Sequence, residues 1–185
     1  MKKTLTAILL VISILLCSCQ MEEVIPEQGD TCSIYFEHEE LFQNSVDALL
    51  ELSCDCLISR SDYYSPEGSE NFTGLYIQNM SDSSFSEYND PVIQSLFEET
   101  NVKLADVLRV EDLLICAFDM CVPGRNFDYG IYYVSEDEPI YFGDPSIPLV
   151  EKGNGFSYER AASYGTKFTY YTEKITDHYY YYEII

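Results

Sequence analysis

The chain has 185 residues, 46% of them hydrophobic and 23% charged, with 10 basic and 32 acidic side chains and a formal net charge of -22. That apolar share is too high for a disordered chain and that length suits one soluble domain. The charge excludes a nucleic-acid partner, which needs clustered Lys and Arg against phosphates, and excludes adhesion to anionic lipid through a polybasic face.

Met1-Lys2-Lys3 is a short positive segment, and Leu5 to Leu16 is an apolar run interrupted only by Thr6 and Ser13. This is the pattern of a secretory signal, and the run is shorter than the ~20 apolar residues that a spanning helix needs. It ends in Leu16-Cys17-Ser18-Cys19. An aliphatic residue three places before a cysteine and a small residue directly before it resemble the lipobox of bacterial prolipoproteins, with Cys19 in the lipidated position. The resemblance covers only the first 20 or so residues. It implies cleavage before Cys19, diacylglycerol on its sulfur and export, with anchoring to the cell membrane or, in a host with two membranes, to the outer one, because Gln20 is not Asp. Two or three acyl chains hold a protein firmly where one does not. Loss of Lys2 and Lys3 with the signal leaves eight bases against 32 acids, a charge of -24.

Residues 1–18 are therefore expected to be the signal, 19–31 an acidic tether, and 32–185 a single α+β domain. The tether reading rests on Glu22, Glu23, Glu27 and Asp30 beside Pro26 and Gly29, with too few apolar residues to bury. Phe42, Val46, Leu49 and Leu50 recur at helical spacing and predict a helix from Glu39 to Leu52, with acids in its first turn where the helix dipole favours them. Ser59 to Phe72 reads as a polar loop, and Leu75 with Ile77 as a short strand. Asp90-Pro91 is a cap residue followed by proline, which predicts a second helix that stops near Asn101.

From there the period changes to two. Val102 to Val110, Leu113 to Phe118, Gly130 to Val134, Pro139 to Phe142, Thr166 to Ile175 and Tyr179 to Ile184 read as strands. Helices first and hairpins after predict a mostly antiparallel sheet with two N-terminal helices packed on one face. Leu113 to Phe118 is apolar on both sides and belongs in the middle of the sheet. Gly153-Asn154-Gly155 reads as a turn, since a dinucleotide site needs a third glycine and a preceding strand.

The mature chain would keep Cys32, Cys54, Cys56, Cys116 and Cys121, an odd number, so at least one stays free or pairs between molecules. None of their spacings is that of a zinc site. They read as small buried hydrophobes, with a Cys116 to Cys121 bridge left open.

In the last strand Tyr179, Tyr181 and Glu183 alternate to one side, and in the strand before it Lys167, Thr169, Tyr171 and Glu173 form the polar side. A connection of odd length would bring these sides onto one face, giving an exposed row of Tyr171, Tyr179 and Tyr181 flanked by carboxylates. Such a row either stabilises the hairpin or offers a platform for a protein, peptide or glycan ligand. Catalytic motifs are absent: no nucleophile elbow, no phosphate-cradling loop and no His-Glu-x-x-His. The two histidines, His38 and His178, leave few candidate bases. No metal, cofactor or catalytic residue is assigned. The expectation is an anchored, non-enzymatic envelope binding domain using the tyrosine face. The alternatives are an acidic inhibitor or immunity protein against a cationic hydrolase or toxin and, last, a carboxylate-based envelope hydrolase.

Overall fold

A computed structural model describes residues 28–60, 74–120, 127–161 and 167–185. The signal, Cys19, most of the tether, Cys121 and Thr166 lie outside the described residues.

The domain is α+β. Among the described residues, three helices, α1 (Gln28–Glu37), α2 (Glu39–Leu50) and α3 (Pro91–Glu99), accompany ten strands: β1 (Cys56–Arg60), β2 (Leu75–Asn79), β3 (Phe85–Tyr88), β4 (Leu104–Val110), β5 (Leu113–Asp119), β6 (Asp128–Val134), β7 (Val150–Lys152), β8 (Gly155–Ala161), β9 (Lys167–Thr176) and β10 (Tyr179–Ile184). The strands form one sheet in the order β3-β2-β1-β4-β5-β6-β10-β9-β8-β7, and every neighbouring pair is antiparallel. As expected, β5 lies near the centre.

Two expected helices are present as α2 and α3. They are not both N-terminal, because α3 follows three strands, and they are not the only ones. The tether expected to reach residue 31 gives way at Gln28 to α1, which buries Thr31 and Tyr35. In α2 the residues Phe42, Val46 and Leu49 lie a turn apart and are buried, which is what a helical apolar stripe does when a sheet is available to cover it. In α3 the Asp90 carboxylate accepts hydrogen bonds from the backbone N–H groups of Val92 and Ile93, 2.9 and 3.1 Å away, while Pro91 supplies a first helical residue with no N–H to satisfy. Asp90→Ala is expected to lower stability by about 1 kcal/mol in urea unfolding, with an unchanged denaturant slope.

Alternation along the strands separates two apolar clusters. Helix residues Tyr35, Phe42, Leu49, Ile93 and Leu96 share the first with Cys56, Ile58, Val107, Cys116, Phe118, Ile131 and Tyr179. The second contains Ile115, Ala117, Tyr132, Tyr170, Tyr180 and Tyr182, packed against Ile140, Tyr141, Phe142 and Leu149. Ile115, Cys116, Ala117 and Phe118 therefore go to alternate clusters, as a strand apolar on both sides should.

Pro139 to Phe142 is not the expected strand. Residues 139–149 form an irregular strap over the second cluster. Proline withholds a ladder donor, and tyrosine hydroxyls take the place of a partner strand. Tyr170 donates to the Ile140 carbonyl at 2.8 Å, and the Ile140 N–H donates to Tyr132 Oη at 3.2 Å.

Candidate functional site

The tyrosine row is only partly as expected. Register pairs Tyr181 with Glu173 and Glu183 with Tyr171, so the two polar sides do share a face. Tyr171 donates to Glu173 at 2.5 Å and Tyr181 to Glu183 at 2.8 Å. The row is not exposed, however: Tyr179 keeps 2% of its surface, Tyr181 keeps 1%, and Tyr171 is half-buried. The expectation of an open platform at Tyr171, Tyr179 and Tyr181 is thus corrected. β10 is an interior strand between β6 and β9, and α1 lays Tyr35 against Tyr179 with ring centroids 4.9 Å apart. Burial drives the Tyr179 and Tyr181 hydroxyl pKa values far up, so neither hydroxyl ionises.

The buried thiols, Cys56 and Cys116, are inert. Cys32, Cys54, Cys56 and Cys116 are free, and burial pushes Cys56 and Cys116 up to about 12. Cys116, one end of the bridge left open by the sequence, is among these free thiols. It sits mid-strand in β5, and Cys121 lies outside the described residues. Among the described residues no group of three or more Cys, His, Asp and Glu could hold a metal ion.

His178 ends the β9–β10 turn at φ 67°, with Nδ1 3.1 Å from the Val134 carbonyl. The Asp137 carboxylate holds this turn by accepting from the His178 N–H, the Tyr180 hydroxyl and Lys174 Nζ. Those bonds, that of Lys174 first, hold Asp137 down at about 2. His38 lines a groove between the start of α2 and the end of α3 together with Glu37, Glu39, Glu40, Asn44 and Glu99.

One cluster was not anticipated. Asp106 on β4 and Asp119 on β5 sit on the same side of the sheet as Ala117, in diagonal register: Asp106 pairs with Ala117, and Asp119 with Leu104. Both residues are half-buried, and both pKa values are raised well above the usual carboxylate range. Burial is the main cause for each; Asp119 adds like charge to Asp106, and Asp128 adds it to Asp119. The Tyr182 hydroxyl donates to Asp119 and opposes part of that rise. It reaches Asp119 from two strands away because Gly130, which pairs with both residues, leaves the space between them empty. A signal for this pair was present: an acid inside the apolar alternation Leu104-Ala105-Asp106-Val107-Leu108, and another closing the apolar run of β5.

No protein-family model, curated protein or solved structure matches this chain. No helix among the described residues is long and apolar enough to cross a membrane.

Proposed function

We propose that the chain is an exported lipoprotein, held in the cell envelope by lipid on Cys19, whose folded domain binds a cationic protein and neutralises or captures it without catalysis. In this reading the helices shield one sheet face, so recognition moves from the tyrosine row to the acidic surface. The observation that carries it is how the bases are used. Arg109 holds the chain after α2, donating to the Cys54 carbonyl at 2.8 Å beside Asp55. Lys152 and Lys167 pair with Glu159, Lys174 with Asp137 and Asp177, and Arg160 lies over Phe168. Arg60 and Lys103 are engaged as well.

The acids of the groove, Glu37, Glu39, Glu40 and Glu99, have no basic partner among the described residues. Glu37 and Glu99 also sit at the C-terminal ends of α1 and α3, where the helix dipole is already negative and no base stands in the last turn. A surface charged this way steers a cationic partner at long range, and salt screens the attraction.

The test joins anchoring and charge. Cys19→Ser should move the protein from the membrane fraction to the soluble one. The association rate with a panel of cationic hydrolases should fall about tenfold between low and physiological salt, and should also fall in Glu37→Gln/Glu39→Gln/Glu40→Gln. A Cys19→Ser protein still in the membrane pellet refutes the anchor, and absence of association at low salt refutes the binding. A carboxylate-based hydrolase is the second reading, with the Asp106 and Asp119 pair in its favour; hydrolysis of an envelope glycan that disappears in Asp119→Asn would establish it over the first.

A further inference from the structure

We infer that α1 is a releasable segment of the tether: it docks on the sheet and comes away as one unit while the rest of the domain stays folded. The link between the anchor and the domain then has a short and a long state. This second half rests on the anchor at Cys19 proposed above, and the first half does not.

The docking contact is narrow and contains two faults. Only Thr31 and Tyr35 of α1 are fully buried, with Ile34 packed half-buried against the same cluster. Tyr35 supplies the hold, its ring 4.9 Å from that of Tyr179 and 5.6 Å from that of Phe42. Thr31 lies one turn before Tyr35 on the same helix face. Its Oγ1 and the Tyr179 hydroxyl are both buried, and neither has a hydrogen-bond partner. Each hydroxyl loses its water on docking and gains no donor or acceptor, so each favours the released state.

The helix adds little hold of its own. Gly29, Asp30, Thr31, Cys32 and Ser33 all stand in the lower half of the helix-propensity order. Ser33 Oγ donates to the Gly29 carbonyl at 2.8 Å, a bond that competes with the helical N–H. Glu37 ends the helix where the dipole favours a base. With 10 residues α1 is shorter than the ~12–15 that an isolated helix needs in water, so off the sheet it melts.

A break after Glu37 lets α1 leave alone. His38 departs from helical geometry, with φ -127° and ψ 27°. The N–H groups of Leu41 and Phe42, in the first turn of α2, donate to the His38 carbonyl and not into α1. Phe42, Val46 and Leu49 keep α2 on the sheet, whose ladders contain no residue of α1. Released and extended, the 10 residues of α1 reach roughly 33–36 Å, against about 15 Å as a helix. A domain on the longer link meets partners farther from the membrane.

Amide hydrogen exchange of the full-length chain, read residue by residue across a urea series below the unfolding transition, tests the release. The amides from Cys32 to Glu37 should share one protection value, about 100-fold below that of Ile115 to Phe118 in β5, and it should barely change with urea. Those of β5 should lose protection steeply, since only global unfolding exposes them. Tyr179→Phe and Thr31→Val remove the unpartnered hydroxyls and keep the shape of the contact, so each should raise α1 protection about fivefold. Tyr35→Ala should leave α1 unprotected on a domain that still unfolds cooperatively. Amides of α1 that follow urea as those of β5 do overturn the release, and so does a fall in α1 protection in either hydroxyl variant. Protection that climbs residue by residue from the N-terminal end is fraying and overturns it, as does a Tyr35→Ala chain that does not fold. A Cys19→Ser protein still in the membrane pellet overturns the tether role alone.

Discussion

Phe42→Ala should lower stability by about 3–5 kcal/mol, the cost of removing a buried phenyl ring and leaving a cavity. Phe42 is completely buried, at the point where α1, α2 and the centre of the sheet meet. Its ring meets Phe118 of β5 edge-on at 5.3 Å and Tyr35 of α1 at 5.6 Å. Alanine removes both contacts, and the sheet cannot close the gap because Phe118 is fixed between two ladders. The loss should spread to α1, which is held through Tyr35 against Phe42 and Tyr179. Urea denaturation with an unchanged slope is the check. Phe36→Ala is the control: one residue from Tyr35 but 60% exposed, it should change stability by less than about 0.5 kcal/mol.

The same helix marks the limit of what periodicity reveals. α2 and α3 were legible because their apolar residues repeat every turn and, in α3, because Asp90 and Pro91 punctuate the start. α1 has almost no amphipathic pattern: Thr31 and Tyr35 face inward while Phe36 faces out, and Gly29 and Asp30 read as a spacer. Tyr179, Tyr181 and Glu183 alternate onto one face as their spacing predicts, and although that side is the more polar one, α1 covers it at Tyr179. Polar tips do not make a tyrosine surface exposed when each hydroxyl has a carboxylate two residues along its own strand to receive it, as Tyr171 and Tyr181 have.

Strand reading failed where tertiary partners replace local pattern. β1, β3, β7 and β8 are short or polar and are strands because a neighbour completes the ladder. Pro139 to Phe142 has strand composition, but the backbone of Ile140 is met by the side-chain hydroxyls of Tyr132 and Tyr170 instead of by a partner strand. The carboxyl pair depends on register in the same way. Asp106 alone reads as an acid within a strand and Asp119 alone as a strand-end acid, and only the pairing of β4 with β5 brings them together.

Gly130→Ala should be the most damaging small substitution in the sheet, costing about 2–3 kcal/mol. An alanine Cβ there would stand 2.1 Å from the Phe118 carbonyl oxygen and 3.0 Å from a Tyr182 ring carbon. The first obstacle is backbone in the central β5–β6 ladder and can yield only by opening it. Gly29 in α1 gives the opposite expectation: its Cβ would meet nothing within 4 Å, so Gly29→Ala should raise stability by about 0.5–1 kcal/mol through helix propensity alone. Comparing the two in one unfolding series separates steric demand from backbone freedom. Gly130→Ala carries a second consequence, because the space it fills is the one through which the Tyr182 hydroxyl reaches Asp119. A methyl group there pushes the ring off that path and removes the donor that favours the ionised Asp119. Asp119 should therefore titrate higher in Gly130→Ala than in the wild type, as it should in Tyr182→Phe, and the pH dependence of its carboxyl carbon shift is the check.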